Sequence, residues 1–341
     1  MDNNSIKEIL KIVDNKRLKT SGIKNILITG CSGFIGTYLI NTLLNEQIKN
    51  KFQIFGVDIA PPKYIDNTKK KFFFIKKDLY NTRSFSIKNS IDLVIHLAGI
   101  PSPTYYKLKP LQTFYLNSEL TKIFLEFAKQ KKSRFIYFSS SEIYGNPDTR
   151  NIPTTEDYEG RVSSLGDRSC YDESKRSGET YTWIFNDFYG VKTSIIRPFN
   201  FYGNGMKKND KRVIPQFFNT AINKNKILPF GNGKQTRSYC HIIDAIPQII
   251  NVSFFGKSLV YNIGNPNEEL SANNLAMIIK RILNLKNIKI TPTSYPKSYP
   301  ANEPLRRCPS ILKLKKEFNY KPSINIEKGL LLFAQYAKGK F

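Results

Sequence analysis

Cysteine and histidine are scarce in this 341-residue chain, and their scarcity excludes several kinds of site. The four cysteines stand far apart, so no paired-cysteine motif predicts a zinc site or a redox-active disulfide. We expect free thiols, as in a reducing cytoplasm. The two histidines, His96 and His241, are too few for a histidine-rich metal site or a histidine-based triad. We therefore predict no metal ion, and we interpret His96, at the end of an apolar run, as a packing residue.

Long apolar runs are missing as well. No stretch approaches the ~18 consecutive apolar residues of a transmembrane helix. Residues 1–21 alternate Ile and Leu with Lys, Asp and Asn, and they lack the apolar core of a secretory signal. We therefore predict a cytoplasmic protein without a membrane partner, in which residues 1–23 are an N-terminal extension that contains a short amphipathic helix.

Acidic residues are few: 27 Asp and Glu face 53 Lys and Arg, which gives a formal net charge of +26. So basic a surface attracts anionic partners such as nucleic acid, anionic membranes or phosphorylated small molecules. The excess is spread along the chain and is not gathered on a recognisable nucleic-acid motif. We therefore attribute it to a compositional bias and predict no nucleic-acid partner.

The apolar runs that are present alternate with helical patterns. Such alternation predicts crossover units and a parallel sheet covered on both faces. After Pro198, Gly, Asn and Pro become dense and indicate a smaller lobe. We therefore predict an α/β fold, a doubly wound parallel sheet with a smaller C-terminal α/β lobe. The predicted strands are 24–29, 52–57, 72–75, 91–97, 134–139 and 193–196, and the predicted helices are 34–46, 111–131 and one that begins near Tyr171.

A glycine-rich turn, GCSGFIG at residues 30–36, links the first predicted strand to a helix. In this context Gly30 permits a tight turn, Gly33 lets the backbone approach a pyrophosphate, and Gly36 lets the helix pack closely on the strand. The N-terminus of the helix then presents free N–H groups to the anion. The motif predicts a dinucleotide site formed by Gly30, Gly33, Phe34, Ile35 and Gly36.

Asp58 ends the second predicted strand, about 20 residues beyond that turn. A carboxylate at this position accepts hydrogen bonds from the ribose hydroxyls of adenosine and repels a 2′-phosphate. The alternative is an aspartate that only caps a turn at the end of a strand. We predict that Asp58 binds the ribose and that the cofactor is NAD rather than NADP.

A tyrosine and a lysine, Tyr171 and Lys175, stand four residues apart on a predicted helix and therefore share one face of it. A phenol with a pKa near 10 is a poor base, and a neighbouring ammonium favours the phenolate. Tyr-x-x-x-Lys occurs by chance in a Lys-rich chain, but here it follows a strand that ends in SSSE, residues 139–142. These serine hydroxyls can hold a substrate hydroxyl opposite the tyrosine.

With these motifs the chain resembles the extended short-chain dehydrogenase/reductase family of nucleotide-sugar enzymes over about residues 24–338. Within that family it is most similar to the UDP-glucuronate decarboxylase branch. The segments that carry the resemblance are GCSGFIG, Asp58, Asp78-Leu79, HLAG (96–99), SSSEIYGNP (139–147), YDESKR (171–176), RPFNFYGNG (197–205), TRSYCHIIDA (236–245) and RRCPS (306–310).

The resemblance implies catalytic roles. Tyr171 would deprotonate the 4-hydroxyl of the sugar, and Lys175 would lower the pKa of that tyrosine and hold the nicotinamide ribose. Ser140 would hydrogen-bond the reacting 4-oxygen. Arg307 would face the reacting sugar, and Glu142 would be a candidate for proton transfer at C5.

The resemblance also implies binding residues. Asp78 and Leu79 would contact the adenine, with Leu97 and Ala98 completing the cofactor site, and Asn200, Gln235 and Arg237 would hold the nucleotide diphosphate. The implied substrate-binding residues are Tyr106, Ser141, Asn200, Arg212, Gln235, Arg237 and Arg307. The substrate would be a nucleotide-diphosphate sugar, UDP-linked in the branch concerned. Relatives in this family usually form homodimers through the helices predicted here at 111–131 and 171–189, so the resemblance implies a homodimer.

The strand-end triplet distinguishes reactions within the family. Dehydratases carry Thr-Asp-Glu there, decarboxylases carry Thr-Ser-Glu, and simple 4-epimerases usually lack the glutamate, whereas this chain has Ser140, Ser141 and Glu142. Two departures from the decarboxylase pattern are Gln112 in place of a lysine near the sugar and Cys308 in place of the lysine of an Arg-Lys-Pro motif.

Together these observations predict an NAD-dependent nucleotide-sugar enzyme, with UDP-glucuronate decarboxylation through a 4-keto intermediate as the first hypothesis. A nucleotide-sugar 4-epimerase or 4,6-dehydratase is the alternative, and a non-catalytic NAD-binding protein is the alternative of a different class. We predict an NAD-binding domain at residues 24–197, with a return segment at 237–262. The nucleotide-sugar-binding lobe would comprise residues 198–236 and 263–341.

Overall fold

A computed structural model of the chain describes residues 3–48, 52–63, 65, 71–284, 287–297, 299–300 and 303–341. The strands in this part are β1 (Asn25–Thr29), β2 (Gln53–Asp58), β3 (Phe72–Lys76), β4 (Leu93–His96), β5 (Arg134–Phe138), β6 (Thr193–Pro198), β7 (Phe201–Tyr202), β8 (Lys226–Ile227), β9 (Thr236–Ser238), β10 (Cys240–His241), β11 (Val260–Ile263), β12 (Glu269–Ser271), β13 (Lys289–Ile290) and β14 (Arg306–Arg307).

The helices run between and after these strands. They are α1 (Asn3–Ile12), α2 (Asn15–Lys19), α3 (Phe34–Leu43), α4 (Pro103–Leu108), α5 (Pro110–Asn117), α6 (Glu119–Lys131), α7 (Ser169–Asp187), α8 (Val213–Lys224), α9 (Ile242–Phe255), α10 (Ala272–Leu283), α11 (Leu312–Phe318) and α12 (Ile326–Lys340). Two short 3-10 turns lie at Ser141–Tyr144 and Thr149–Asn151.

The main sheet has seven parallel strands among the described residues, in the order β11-β6-β5-β4-β1-β2-β3. The strand order reverses between β1 and β4, and in open α/β sheets a crevice at such a switch point receives the ligand. The predicted α/β class and the doubly wound parallel sheet are therefore confirmed.

Both faces of the sheet are buried because successive side chains of a strand point to opposite sides. In β1, Ile26 and Ile28 belong to a core that also contains side chains of α1, α3 and α9, whereas Leu27 belongs to a second core with α6 and α7. This explains why the strands are unbroken apolar runs. The N-terminal extension takes part in the first core through Ile6 and Ile9 of α1.

The six predicted strands are present, but two features of the fold were not predicted. The seventh strand, β11, lies in the return segment and forms the edge of the sheet beside β6. The predicted helix at 111–131 is wrong in one respect, because it is interrupted at Ser118, whose φ of −109° and ψ of −80° are not helical. The Ser118 hydroxyl donates to the carbonyl oxygen of Phe114 at 2.7 Å, a local bond of the type that bends helices.

The C-terminal part forms a separate apolar cluster built from α8, α10 and α12. A small sheet, β12-β9-β14, lies beside this cluster, and its parallel pairing of β9 with β14 sets Arg237 opposite Arg307. Two arginines that are distant in sequence are thereby brought together at the edge of the main sheet's crevice.

His96 and most of the cysteines are buried in the fold. His96 is buried at the end of β4, and its Nδ1 lies 2.8 Å from the Thr29 hydroxyl, which confirms its interpretation as a packing residue. Burial lowers the pKa of His96 to about 3. The four cysteines are free thiols, namely Cys31, Cys170, Cys240 and Cys308. In the described part of the chain no helix is long and apolar enough to cross a membrane, and no cluster of potential ligands is placed to hold a metal ion.

Candidate active site

The turn between β1 and α3 forms a tight backbone cradle. Gly30 has a φ of +67°, and a Cβ there would lie 2.9 Å from the Ala98 nitrogen. A Cβ on Gly36 would lie 2.7 Å from the carbonyl oxygens of Gly30 and Cys31, so a side chain at either position would require the backbone to move. Gly33 stands before α3 and offers no side chain to cap it, which leaves the first N–H groups of the helix for an anion.

Asp58 lies beside this cradle at the end of β2. Its Oδ2 accepts a hydrogen bond from the Ser32 N–H at 2.9 Å, and its Oδ1 accepts one from the Ile59 N–H at 2.7 Å. The carboxylate is therefore fixed at the carboxyl edge of the sheet, next to the turn that would bind the pyrophosphate. The other predicted cofactor residues follow neighbouring strand ends, namely Asp78 and Leu79 after β3, and Leu97 and Ala98 after β4.

Tyr171 and Lys175 lie on the buried face of α7, as their spacing predicts. The Lys175 Nζ donates to the carbonyl oxygen of Phe138 at 2.7 Å, and it lies 5.8 Å from the centre of the Tyr171 ring. The Tyr171 ring stacks on Tyr106 with a centroid distance of 4.3 Å. The Ser140 side chain is close enough to the Tyr171 hydroxyl to lower the pKa of Tyr171.

Burial dominates the ionisation of this tyrosine and this lysine. Burial raises the pKa of Tyr171 to about 12, against the lowering effect of the hydrogen bond with Ser140. It lowers the pKa of Lys175 to about 7, although Glu179 favours the charged ammonium. The resemblance implies that Lys175 lowers the pKa of Tyr171. Among the groups of the protein itself, burial outweighs this lowering. Oxidised nicotinamide carries a positive charge, and a cation beside the phenol favours the phenolate.

Glu142 is held between two arginines at the entrance to this site. One carboxylate oxygen pairs with Arg307 and the other with Arg168, and Arg307 also lies 3.4 Å from the Ser141 hydroxyl. Burial opposes the ionisation of Glu142, but the attraction of Arg307, Arg168 and Arg237 prevails and holds its pKa below the usual range. Glu142 is therefore a carboxylate at neutral pH.

A cavity extends from Glu142 toward the C-terminal lobe. It brings together most of the predicted substrate residues, which are Tyr106, Asn200, Arg212, Gln235, Arg237 and Arg307. Asn200 adopts a positive φ of 41° and donates from its amide to the Ser238 carbonyl oxygen at 3.0 Å. Ser141 contacts Arg307, which lines the cavity, whereas Ser140 lies near Tyr171, whose ring stacks on the cavity-lining Tyr106. Arg212 is paired with Asp210 at the rim.

Three residues of this site were not found from the sequence. Arg168, immediately before α7, pairs with Asp172, which follows Tyr171 on that helix, and Glu303 pairs with Arg237 at 2.8 Å. Arg168 and Asp172 are four residues apart, a spacing that places them on one face of a helix and was available as a signal. Nothing in the local sequence pairs Glu303 with Arg237, because that contact depends on the pairing of β9 with β14.

Comparisons with known proteins agree with this geometry. Residues 26–264 match the model of the NAD dependent epimerase/dehydratase family. UDP-glucuronic acid decarboxylase 6 of Arabidopsis thaliana is 33% identical over 319 residues, covering 91% of this chain and 88% of that protein. UDP-glucuronic acid decarboxylase 1 of the same plant is 31% identical over 332 residues, covering 93% of this chain and 69% of that protein.

A solved structure shares the fold over almost its whole length. A variant of UDP-glucuronic acid 4-epimerase from Bacillus cereus, in complex with a fluorinated UDP-glucuronic acid analogue and NAD, is 25% identical, with a TM-score of 0.77. The match covers 93% of this chain and 100% of that one. The glycine cradle and Asp58 suit a dinucleotide, in agreement with these relatives. The chain therefore belongs to the NAD-dependent epimerase/dehydratase family, and its cofactor is NAD.

Proposed function

We propose that this protein decarboxylates UDP-glucuronate and recycles its NAD within each turnover. The observation that carries the proposal is the position of Glu142, clamped by Arg307 and Arg168 beside Ser140 and Tyr171. Arginines at this position suit a sugar that carries a carboxylate. The relatives that are named UDP-glucuronic acid decarboxylases support the same assignment.

The residues of the site have two roles, which are orientation of the sugar and proton transfer. Bound NAD supplies the oxidising equivalent at C4 and returns the hydride later. Tyr171 takes the proton of the 4-hydroxyl, and Ser140 holds the same oxygen through a hydrogen bond. A ketone at C4 places the C6 carboxylate β to a carbonyl, so CO₂ leaves with its bonding electrons remaining in an enolate. A proton from solvent then adds at C5, Tyr171 returns its proton to the 4-oxygen as C4 is reduced again, and a pentose nucleotide results.

The alternatives are a 4-epimerase and a 4,6-dehydratase acting on another nucleotide sugar. Ser141 occupies the position at which the dehydratase pattern has an aspartate, and its hydroxyl contacts Arg307 rather than serving as an acid. The Bacillus cereus 4-epimerase is the observation that keeps epimerisation as the second candidate.

Mass spectra of the products from a panel of nucleotide sugars test the proposal. Decarboxylation of UDP-glucuronate gives a product lighter by CO₂, dehydration gives one lighter by water, and epimerisation leaves the mass unchanged and alters chromatographic retention. We expect the first result. An unchanged mass with altered retention would replace the proposed reaction by epimerisation.

We predict a preference for NAD over NADP because Asp58 would bind the ribose diol and repel a 2′-phosphate. The preference should be at least about tenfold, or ~1.4 kcal/mol, by calorimetry. Asp58→Asn should reduce it by removing the negative charge. Asp92→Asn is the matched control, since Asp92 also accepts backbone N–H groups, those of Lys24 and Asn25, but outside the cofactor site. Equal affinities of the wild type for the two cofactors would refute the role of Asp58.

We also propose a homodimer that forms through α5, α6 and α7. Leu111 of α5 is 78% exposed and Trp183 of α7 is 43% exposed, and Phe188, directly after α7, is 70% exposed. Covering this surface in a second copy would remove it from water. Light scattering should give a dimeric mass, and Trp183→Asp should shift it toward the monomer. Leu331→Asp, an exposed leucine on α12, is the control. A monomeric wild type would contradict this proposal.

The cysteines support a further expectation about location. All four are free thiols, and three of them are buried. Free thiols are usual in reducing compartments, so we propose that the protein works in the cytoplasm.

A further inference from the structure

Arg168 contacts two carboxylates with different nitrogens. It stands immediately before α7, and its Nη2 donates to Oε2 of Glu142 while its Nε lies 3.4 Å from Oδ2 of Asp172. The side chain is only 9% exposed. Arg307 binds the other oxygen of Glu142. The guanidinium of Arg168 is thus shared between two carboxylates. Glu142 lines the cavity, whereas Asp172 does not.

Asp172 is buried and incompletely paired. Its exposed fraction is 6%, and its Oδ1 has no hydrogen-bond partner in the described part of the chain. Burial and then repulsion from Glu142 raise its pKa, while Arg168 and Arg307 oppose the rise. The remaining ionisable groups that interact with it are Tyr106, Tyr171 and Cys170.

We propose that Arg168 and Asp172 are a positioning pair that holds Glu142 toward the sugar site, with Asp172 setting how firmly Arg168 binds Glu142. When Asp172 is protonated, Arg168 is available to Glu142 alone. When Asp172 is ionised, it competes with Glu142 for the same guanidinium and brings a second negative charge into the buried cluster. Neither residue takes part in a chemical step.

Urea unfolding without substrate tests the pair independently of the reaction. The raised pKa means that Asp172 holds a proton in the folded protein at pH values where it is already ionised in the unfolded chain. Its contribution to stability therefore falls as the pH rises from the ordinary aspartate range toward neutrality. Asp172→Asn removes this dependence, so between pH 5 and pH 8 the variant's folding equilibrium constant should rise relative to wild type by about 10- to 100-fold.

Two comparisons make this measurement specific. In a Glu142→Gln background the repulsion is absent, so the same substitution should produce a smaller pH trend. Asp148→Asn is the control, because Asp148 pairs with an arginine, Arg161, on the surface at 2.9 Å. An equal trend for Asp172→Asn in both backgrounds, or the same trend for Asp148→Asn, would overturn the proposal.

A kinetic measurement rests on the proposed function. Arg168→Lys keeps the charge but loses the fork that reaches both carboxylates. With UDP-glucuronate, its product formation should fall about 10- to 100-fold while bound reduced nicotinamide accumulates, as expected when Glu142 is misplaced. Asp172→Asn should retain turnover. Its pH profile of kcat should lack one ionisation that the wild type shows near neutrality. An Arg168→Lys variant with the wild-type balance of reduced cofactor and product would overturn the positioning role.

The two measurements separate the two proposals. A wild-type protein that leaves UDP-glucuronate unchanged refutes the proposed function, and the unfolding comparison still decides whether Arg168 couples Asp172 to Glu142. A pH trend that is absent from the unfolding data, in a protein that does decarboxylate UDP-glucuronate, refutes the positioning pair alone.

Discussion

Replacing Tyr171 with Phe should lower turnover by about 10²- to 10⁴-fold, the contribution typical of a general acid–base residue. The substitution removes only the hydroxyl that is bonded to Ser140, whereas the ring can keep its stacking on Tyr106 at 4.3 Å. The cofactor cradle around Gly30 is not altered, so NAD binding should be retained. Product formation and calorimetric NAD affinity, measured on the same preparation, check both expectations.

Tyr181→Phe is the matched control for this experiment. Tyr181 lies on the same helix, and its hydroxyl donates to Glu119 at 3.3 Å, away from the cavity. Turnover by this control should remain close to wild type. Near-normal product formation by Tyr171→Phe would contradict the enzyme mechanism as a whole, and absence of turnover by the wild type on every nucleotide sugar would favour a non-catalytic NAD-binding protein.

Replacing Glu142 with Gln should stall the reaction after oxidation. The substitution leaves Tyr171 and Ser140 in place, so hydride transfer to NAD should continue, while the later protonation of C5 loses the carboxylate that would orient its proton donor. We expect reduced nicotinamide to accumulate on the enzyme and final product to fall by about 100-fold or more. The loss of the counter-ion of Arg168 and Arg307 should also lower the free energy of unfolding by about 3 kcal/mol.

A second partly buried glutamate, Glu179, separates the chemical effect from the loss of stability. Glu179 forms two hydrogen bonds with Arg197, at 2.9 and 2.6 Å, outside the cavity. Glu179→Gln should also destabilise the fold. Because Glu179 favours the charged form of Lys175, this variant should slow the oxidation step, but it should not make reduced cofactor accumulate. If Glu142→Gln turns over within a few-fold of wild type, Glu142 only supports the strand end and the proposed proton transfer belongs to another group.

The parts of the site that could be predicted from the sequence are those that a short segment encodes. The cradle at residues 30–36 needs glycines because of contacts within the turn itself and with Ala98 at the neighbouring strand end. Tyr171 and Lys175 share a face because a helix repeats every 3.6 residues. Asp58 was identifiable because it ends an apolar run at the expected distance from the turn.

The remaining parts depend on contacts between distant segments. The bond between Glu142 and Arg307 joins the 3-10 turn after β5 to β14, and the position of β14 is set by its pairing with β9. The effect of burial on Tyr171 and Lys175 likewise requires the surrounding fold, so the spacing alone overstated the influence of the lysine on the phenol. The break at Ser118 was missed because both flanking segments have helical patterns.

The packing of α1 has a consequence for the order in which the chain can fold. Its residues Ile6 and Ile9 are buried in a core that includes α9, and α9 begins on the order of 240 residues later in the chain. At about 5–20 residues per second, a ribosome needs on the order of 10–50 s to synthesise the intervening segment. Helix α1 therefore cannot complete its apolar contacts until α9, much later in the chain, has been made.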